Sequence, residues 1–265
     1  MKKKIIILGY RSFLSQCLKK KIKSALLIRS KEINTFQKKL NKKLSYIVII
    51  NLFYPTFSTV DVNKKNFNYF SQDLIFLFLN KLLKYRISKI IYTSSSIVNH
   101  PILNKSSPRY NYQKKKKIME KKILDLCKKK KILCVITRPY NIYGEGDKFS
   151  IIKKLIKLKN SKLKKLVISN QGNSIRDYIN VKDVVKIYEK IASSDFKGII
   201  SIGTGEGIKL SEIIKILKVN DKIIFQKKKL NEVTKSICKI FKLKKIIDTN
   251  KFIKIKNYLK KINQK

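Results

Sequence analysis

Short, largely apolar runs rich in β-branched residues recur along the chain, and most of them end at a small or polar residue. Runs without a polar alternation predict strands that are buried on both faces of a sheet. These predicted strands lie at 5–8, 25–28, 47–50, 89–92, 133–137, 165–168 and 199–202. Between them, apolar residues recur at helical spacing, first as Phe13, Leu14, Cys17, Leu18 and Ile22. The alternation of strands and helices predicts an α/β fold with a doubly wound parallel sheet.

Further helices are predicted at about 71–84, 112–130 and 151–159, from residue 181 onward, and in the lysine-rich C-terminal tail. The polar segment QGNSIRDY at 171–178 predicts a loop. Four of the predicted strands lead into Gly9, Arg29, Asn51 and the serines around Ser95. Because the carboxyl ends of parallel strands share one edge of the sheet, we expect these residues to converge on one crevice.

Basic residues strongly outnumber acidic ones: 64 Lys and Arg stand against 16 Asp and Glu, which gives a formal net charge of +48. Such a charge raises nucleic acid or an anionic membrane as a partner. However, the lysines are spread along the chain in short runs, such as 19–21, 114–117 and 128–131, without a recognisable nucleic-acid-binding module. We interpret them as solvated surfaces and expect no nucleic-acid partner; nucleic-acid binding, raised by charge alone, is a further alternative. The field of the lysines would also attract an anionic substrate.

The cysteines and the histidine form no metal-binding pattern. Cys17, Cys127, Cys134 and Cys238 are far apart, and the chain has one histidine. We therefore expect neither a metal site nor a disulfide framework, and predict reduced core thiols. The apolar run at 5–8 is too short for a signal peptide or a spanning helix. The expected protein is soluble and cytoplasmic, without a membrane partner.

The turn after the first predicted strand reads GYRSFLS at 9–15. A dinucleotide-binding turn of the GxxGxxG form would have glycines at positions 9, 12 and 15, and Ser12 and Ser15 replace two of them. A serine is small enough for the backbone to approach a pyrophosphate at a helix N-terminus, although less freely than glycine. Taken alone, the turn indicates no more than an ordinary strand-to-helix connection.

Five segments carry motifs in a recognisable order. They are TSSSIVN at 93–99, the residues Tyr112, Lys116 and Glu120, RPYNIYG at 138–144, QGNSIRDYINVKDV at 171–184 and ISIGTGEGIKLSEI at 200–213. In order and spacing they resemble the extended short-chain dehydrogenase/reductases of the NAD-dependent epimerase/dehydratase family, which act on nucleotide sugars. The nearest resemblance is to GDP-fucose synthases and UDP-glucose 4-epimerases. It implies a Rossmann domain at 1–145, to which 175–205 contribute, and a smaller substrate-binding lobe formed mainly by 146–265.

The resemblance implies Ser95, Tyr112 and Lys116 as catalytic residues. A lysine four residues after a tyrosine lies on the same face of a helix, where its ammonium can stabilise the phenolate. Tyr112 can then act as general acid or base, while Ser95 hydrogen-bonds the reacting sugar oxygen. Ser95 stands three residues before Val98, as the family pattern requires, and Ser96 is the alternative.

Tyr110 and Lys114 form a second pair with the same spacing. In isolation, either pair is compatible with surface residues of a lysine-rich helix. Glu120 lies eight residues after Tyr112, as in the family, and this register favours Tyr112 with Lys116.

The resemblance also implies binding residues. For the cofactor these are Gly9, Arg11, Ser12, Phe13, Leu14, Arg29, Asn51, Lys116 and Pro139, and for the sugar nucleotide they are Ser96, Asn141 and Arg176. Arg11 and Arg29 stand where the GDP-fucose synthase branch receives the 2′-phosphate of NADP, whereas an acidic residue at position 29 would favour NAD. NADP(H) is therefore the expected cofactor and NAD(H) the alternative. Arg176 is expected to bind the diphosphate of the sugar nucleotide.

The reaction type depends on the residue before Val98. Dehydratases of the family carry an acidic residue there and GDP-fucose synthases a cysteine, whereas this chain has Ile97. The expected reactions are 4-ketoreduction with NADPH or 4-epimerisation, and the alternative is a non-catalytic, cofactor-binding or regulatory member of the fold. The family pairs through the helix that carries Tyr112, but the lysines here would repel a second copy. A homodimer and a monomer are both open.

Overall fold

The computed structural model of the protein describes residues 3–10, 12–51, 70–101, 105, 107–228 and 232–264. In chain order, its strands are β1 (Lys3–Leu8), β2 (Leu26–Ile28), β3 (Ser45–Ile50), β4 (Arg86–Thr93), β5 (Leu133–Pro139), β6 (Asn141–Tyr143), β7 (Leu166–Ile168), β8 (Ile175–Asn180), β9 (Gly198–Ile202), β10 (Gly207–Lys209), β11 (Ile223–Phe225) and β12 (Lys235–Ser236). Its α-helices are α1 (Phe13–Lys21), α2 (Phe70–Leu82), α3 (Pro108–Lys129), α4 (Ile151–Lys159), α5 (Val181–Ser193), α6 (Leu210–Leu217), α7 (Phe241–Lys244) and α8 (Ile255–Asn263).

A parallel sheet forms the centre of the larger part of the molecule. Within the described residues, its six strands follow the order β2-β1-β3-β4-β5-β9. The chain runs from β1 outward to β2 and then returns to the other side of β1 as β3, so the strand order reverses between β1 and β3. In doubly wound sheets, ligands bind beyond the carboxyl ends of the strands at such a reversal. The predicted α/β fold, with its strand ends at one edge, is confirmed.

Helices cover both faces of this sheet. On one face, α1 and α5 contribute fully buried side chains such as Leu18 and Ile187. On the other face, α2 and α3 contribute Phe78 and Ile123, which are equally buried. Every residue of β3 is buried between these layers. Burial on both faces explains why the strands of the main sheet show no polar alternation.

A third apolar cluster lies outside the main sheet. It joins α4, α6 and α8 through side chains such as Leu155, Ile214 and Leu259. Two smaller sheets accompany it: β8 pairs with β6, β10 and β12, and β7 pairs with β11. In contrast, β9 lies in the main sheet, and α5 packs against that sheet. The division into a domain at 1–145 and a lobe at 146–265 stays a prediction.

Residues Ile175–Asn180 form β8, so the predicted loop at 171–178 is wrong over its second half. Polar residues suggested a loop, but the fold provides them with partners. The Asp177 carboxylate, for example, is fully buried and accepts hydrogen bonds from the N–H groups of Thr204 and Cys238. A polar segment can therefore form an inner strand where hydrogen-bond partners surround it.

Helix α3 begins at Pro108, four residues before the predicted start at Tyr112. The Ser107 hydroxyl accepts a hydrogen bond from the Tyr110 N–H and caps the helix, and proline is favourable in a first turn. Among the helices of the described part of the chain, none combines the length and the apolar character that crossing a membrane requires.

Candidate active site

The turn between β1 and α1 lies at the carboxyl edge of the main sheet, beside the strand reversal. Gly9 has a φ angle of +116°, in the region that favours glycine. Its carbonyl accepts a hydrogen bond from the Ser12 N–H at 3.0 Å, and Ser12 is the N-cap residue of α1. The N-terminus of α1 therefore lies at this edge, where a phosphate group is favoured. Arg11 lies outside the described residues.

Asn51, directly after β3, binds the two serines that replace glycines in this turn. Its side-chain amide donates to Ser12 Oγ at 2.7 Å and to Ser15 Oγ at 3.0 Å. All three residues are buried. The two hydroxyl groups are thus packed and hydrogen-bonded, which explains how the turn forms without the second and third glycines. The sequence predicts Asn51 as a cofactor residue, and in the structure its amide stabilises the turn.

Phe13 and Leu14 form the first turn of α1. Leu14 is buried in the core. The Phe13 ring packs close to Gly146, since a Cβ atom added to this glycine would lie 3.4 Å from the ring. Cys17 Sγ, one turn farther along α1, lies 3.7 Å from the Glu145 carbonyl oxygen. The segment after β6 therefore covers part of α1. As residues of the first turn of α1, Phe13 and Leu14 place their backbone N–H groups at the carboxyl edge.

Arg29 follows β2 and is exposed at the outer part of the same edge. Its guanidinium carbon lies 4.3 Å from the centre of the Tyr10 ring, and its backbone N–H donates to the Glu32 carboxylate at 2.8 Å. The Glu32 carboxylate also accepts a hydrogen bond from Lys39, which lowers the pKa of Glu32. Arg29 and Tyr10 together offer a cation and an aromatic face to a planar, anionic ligand.

Ser94, Ser95 and Ser96 follow β4 near the centre of the edge. Ser95 caps the short 3-10 turn Ser96–Asn99, and its Oγ accepts a hydrogen bond from the Ile97 N–H at 3.3 Å. Because Ser95 Oγ is the acceptor in this bond, its hydroxyl hydrogen can donate a hydrogen bond to a ligand. Ser94 Oγ is buried and has no hydrogen-bond partner among the described residues. Such hydroxyl groups are rare in folded proteins, and a ligand at this edge would satisfy it.

Tyr112 and Lys116 lie on one face of α3. Lys116 is 3% exposed, and its Nζ donates to the Thr93 carbonyl oxygen at 3.1 Å. Its Nζ is 5.9 Å from the centre of the half-buried Tyr112 ring. Burial lowers the pKa of Lys116 to about 8, and the charge of Glu120 opposes this shift. Lys114, from the alternative pair, is exposed, so of these two lysines only Lys116 is buried.

Two hydrogen bonds fix α3 against the segment that follows β4. One joins Lys116 to the Thr93 carbonyl, and in the other Gln113 Nε2 donates to the Ile97 carbonyl at 2.7 Å. Ser95 lies between the two accepting residues in the chain. The face of α3 that carries the predicted tyrosine and lysine is therefore brought next to the predicted serine.

Glu120 connects α3 to β5. Arg138 donates to both of its carboxylate oxygens, with Nε···Oε1 at 3.0 Å and Nη2···Oε2 at 2.5 Å, and donates to Asn99 Oδ1 at 2.7 Å. The Glu120 side chain is 5% exposed, so this pair is largely shielded from water. Glu120, whose spacing favours Tyr112 over Tyr110 in the sequence, therefore has a structural role, because its ion pair with Arg138 joins α3 to β5. Pro139, next along β5, is buried at the same end of the strand.

Of the residues predicted to hold the sugar nucleotide, Asn141 and Arg176 lie on the neighbouring strands β6 and β8, whereas Ser96 follows β4. Asn141 Nδ2 donates to the Asp177 carbonyl oxygen at 2.8 Å. The half-buried Arg176 donates through Nη1 to the carbonyl oxygens of Ile175 at 2.9 Å and Thr234 at 3.2 Å. Burial lowers the pKa of Arg176. The smaller sheet therefore fixes both side chains.

Arg109 and His100 are not among the residues that the sequence predicts for the site. Arg109 lies in the first turn of α3, three residues before Tyr112 and seven before Lys116, so helical periodicity puts it on their face. His100 Nε2 lies 2.8 Å from Ser236 Oγ. The spacing of Arg109 is visible in the sequence, whereas the approach of Ser236 to His100 depends on the folded chain.

Comparison with known proteins agrees with this architecture. Residues 38–203 match the model of the NAD dependent epimerase/dehydratase family. No curated protein sequence matches the chain. Among solved structures, a UDP-N-acetylglucosamine 4-epimerase from Methanobrevibacter ruminantium, in complex with UDP-N-acetylmuramic acid, has a TM-score of 0.78 at 19% identity, and the match covers 100% of this chain and 98% of that one.

Two further structures share this fold and hold a nicotinamide dinucleotide. A UDP-glucuronic acid 4-epimerase variant from Bacillus cereus, in complex with NAD and a fluorinated UDP-glucuronic acid, has a TM-score of 0.79 at 19% identity, with 98% of each chain covered. RMD from Pseudomonas aeruginosa, in complex with NADPH, has a TM-score of 0.74 at 17% identity, with 98% of this chain and 97% of that one covered. Since the family model matches more than half of its length, this chain belongs to the NAD dependent epimerase/dehydratase family.

Proposed function

We propose that the chain transfers hydride at a sugar carbon of a nucleotide-diphosphate sugar, as a 4-epimerase or a 4-ketoreductase, with Ser95, Tyr112 and Lys116 as catalytic residues. The observation that carries this proposal is the buried Lys116 ammonium, which the Thr93 carbonyl holds beside the Tyr112 ring. A lysine whose pKa burial has lowered toward neutral pH, and which lies next to a tyrosine at a sheet edge, is typical of catalytic sites.

The three side chains divide the chemistry. In the oxidising direction, the Tyr112 phenolate accepts the proton of the sugar hydroxyl as a hydride leaves the carbon that bears this hydroxyl. The Lys116 ammonium stabilises the phenolate, and Ser95 donates a hydrogen bond to the sugar oxygen as charge develops on it. In the reducing direction, Tyr112 returns the proton to that oxygen. A nicotinamide dinucleotide, when bound, supplies the hydride acceptor and donor.

A dinucleotide fits the carboxyl edge between the β1–α1 turn and α3. The positive φ of Gly9 and the N-terminus of α1 suit a pyrophosphate, and the buried Ser94 hydroxyl offers a polar contact. The exposed Arg29 beside Tyr10 suits the 2′-phosphate of NADP. We therefore favour NADP(H), with NAD(H) as the alternative. Of the structures described above, the Bacillus cereus epimerase variant holds NAD and RMD from Pseudomonas aeruginosa holds NADPH.

A non-catalytic, cofactor-binding role is the second candidate, because two glycines of the turn are replaced. The hydrogen bonds from Asn51 to Ser12 and Ser15 argue against it, since they support a well-formed turn. Uptake of fresh NADPH in each cycle would favour ketoreduction, whereas a dinucleotide that stays bound would favour epimerisation.

The substrate class is a nucleotide-diphosphate sugar. Of the three solved structures described above, two are in complex with UDP sugars. The guanidinium of Arg176 suits a diphosphate, and Asn141 lies on the adjacent strand. A cytoplasmic location, the absence of a nucleic-acid partner and the choice between monomer and homodimer stay predictions.

The test compares Tyr112→Phe with the matched control Tyr110→Phe. Ketoreduction is followed by nicotinamide absorbance, epimerisation by chromatographic separation of the UDP- and GDP-sugar products, and binding of NADPH and NADH by nicotinamide fluorescence. We expect Tyr112→Phe to lose roughly 10²-fold or more in turnover while keeping dinucleotide binding, because it removes a proton donor and little volume. Tyr110→Phe should remain active. Retained turnover in Tyr112→Phe would refute the assignment, and failure of the wild type to bind either dinucleotide would favour the non-catalytic role.

A further inference from the structure

Arg109 extends the catalytic face of α3 toward its N-terminus. Tyr112 and Lys116 follow it by three and seven residues, which is the spacing of a single stripe on an α-helix. Lys116 lies inward under the Thr93 carbonyl, so this stripe faces the carboxyl edge of the main sheet. Arg109 is half-buried and lies about 4.5 Å along the helix axis from Tyr112. Its position is therefore next to the place where the sugar would react.

The segment after β4 connects α3 with the smaller sheet that contains β8 and β12. Gln113, four residues after Arg109, donates hydrogen bonds to the carbonyl oxygens of Ile97 and His100. The His100 ring in turn lies 2.8 Å from Ser236 Oγ. Ser236 on β12 is the register partner of Arg176 on β8. This chain of contacts brings His100 and the strand pair that carries Arg176 next to the first turn of α3.

Positive charge is concentrated at this junction. Burial, followed by the charge of Arg176, lowers the pKa of Arg109, and burial, followed by the charges of both arginines, lowers the pKa of His100. Glu232 is the acidic group whose charge acts on both arginines, and its Oε1 accepts a hydrogen bond from Ser174 Oγ at 2.8 Å. Among the described residues, two half-buried guanidinium groups share the charge of one carboxylate, Glu232, and this excess of positive charge favours the binding of a further anion.

We propose that Arg109, together with Arg176, binds an anionic oxygen group of the substrate one helical turn from Tyr112, which makes Arg109 a specificity-determining residue. This inference rests on the proposed function and deepens it. The anionic group is either the diphosphate of the sugar nucleotide or an acidic substituent on its sugar. The fork of an arginine suits both, since each presents two oxygens in one plane.

The test measures anion binding by isothermal titration calorimetry at physiological salt. The probes are inorganic pyrophosphate, UDP-glucose and UDP-glucuronic acid, and the variants are Arg109→Gln and Arg109→Lys. Arg86→Gln is the matched control, because Arg86 is exposed at the start of β4, on the opposite edge of the sheet. Thermal midpoints of all variants check that they fold.

We expect Arg109→Gln to weaken binding of at least one probe by roughly tenfold or more, Arg109→Lys by less, and Arg86→Gln not at all. A matching loss for pyrophosphate and UDP-glucose identifies the diphosphate, and a loss confined to UDP-glucuronic acid identifies a sugar carboxylate. Wild-type affinity of Arg109→Gln for all three probes would overturn the proposal, as would an equal loss in Arg86→Gln or no binding by the wild type.

A dinucleotide titration on the same preparations separates this inference from the proposed function. Arg109→Gln should bind NADPH and NADH as the wild type does, because Arg109 is not among the residues proposed to hold the dinucleotide. If the wild type binds a dinucleotide while its anion affinity is independent of Arg109, the Arg109 inference fails alone. If the wild type binds no dinucleotide, the proposed function fails first.

Discussion

Lys114 and Lys116 are two residues apart on α3, and the fold gives them opposite environments. Lys114 is exposed, whereas Lys116 is 3% exposed and donates to the Thr93 carbonyl. Burial lowers the pKa of Lys116 to about 8, although Glu120 opposes the shift. The same side chain is therefore a solvated surface group at one position and a group that titrates close to neutral pH at the other.

The first prediction concerns the pH dependence of catalysis. The role proposed for Lys116 requires its ammonium form, and a group with a pKa of about 8 loses that form as the pH rises through 8. We expect kcat/KM to fall on the alkaline side, with an apparent pKa near 8. The measurement is a profile between pH 6 and 10 for the wild type and for Lys114→Met, whose profile should be unchanged. A flat profile up to pH 10 would contradict the role of Lys116.

The second prediction concerns cofactor choice at Arg29. Its guanidinium is exposed and stacked on Tyr10, so its removal takes a cation from the edge without disturbing the core. We expect Arg29→Ala to weaken NADPH roughly tenfold or more, while NADH changes little. Fluorescence titration with both dinucleotides measures this, with Arg86→Gln as the control. An equal loss for the two dinucleotides would rule out a 2′-phosphate contact.

At the scale of elements, the junction of β1, α1 and β3 depends on one amide. Asn51 donates to Ser12 and Ser15, and all three side chains are buried. We predict that Asn51→Ala lowers the free energy of unfolding by about 2–3 kcal/mol, because two buried hydroxyl groups lose their donor. Urea unfolding measures the change, with the exposed Asn250→Ala as control. A difference within error between the two variants would show that the amide is dispensable.

Much of the element order is predictable from the sequence, because apolar strands buried on both faces leave an unmistakable pattern. The strands of the main sheet and the helix around Tyr112 follow from that pattern and from the motifs. Strand β8 does not, since its polar residue Asp177 finds its partners, Thr204 and Cys238, far along the chain. The structural role of Asn51 was equally hidden, because it depends on a contact between β3 and α1.

The residues of the candidate site also differ in how far the sequence can predict them. Spacing along one helix is sufficient to relate Tyr112 to Lys116, and it is sufficient to add Arg109 once the inward face of α3 is known. The neighbourhood of His100, in contrast, is created by Ser236, which lies far along the chain on β12. Local periodicity is thus readable in a single sequence, whereas a contact between segments far apart in the chain is not.

At the scale of the whole molecule, charge opposes compactness. The 64 basic residues face 16 acidic ones, so ion pairing cannot compensate the positive charge. Several of the ion pairs among the described residues lie on exposed side chains, where each contributes little. Stability must then come from the three apolar clusters, and the surface charge acts against it through self-repulsion.

This balance predicts that salt stabilises the fold. Between 0.01 M and 0.15 M salt the Debye length falls from about 30 Å to about 8 Å, which screens repulsion between lysines across the surface. We expect the urea midpoint at pH 7 to rise over this range of NaCl. The variant Lys114→Glu with Lys117→Glu, which reverses two exposed charges of α3, should show a smaller rise. If NaCl leaves the midpoint unchanged or lowers it, repulsion between the surface lysines does not reduce the stability of this fold.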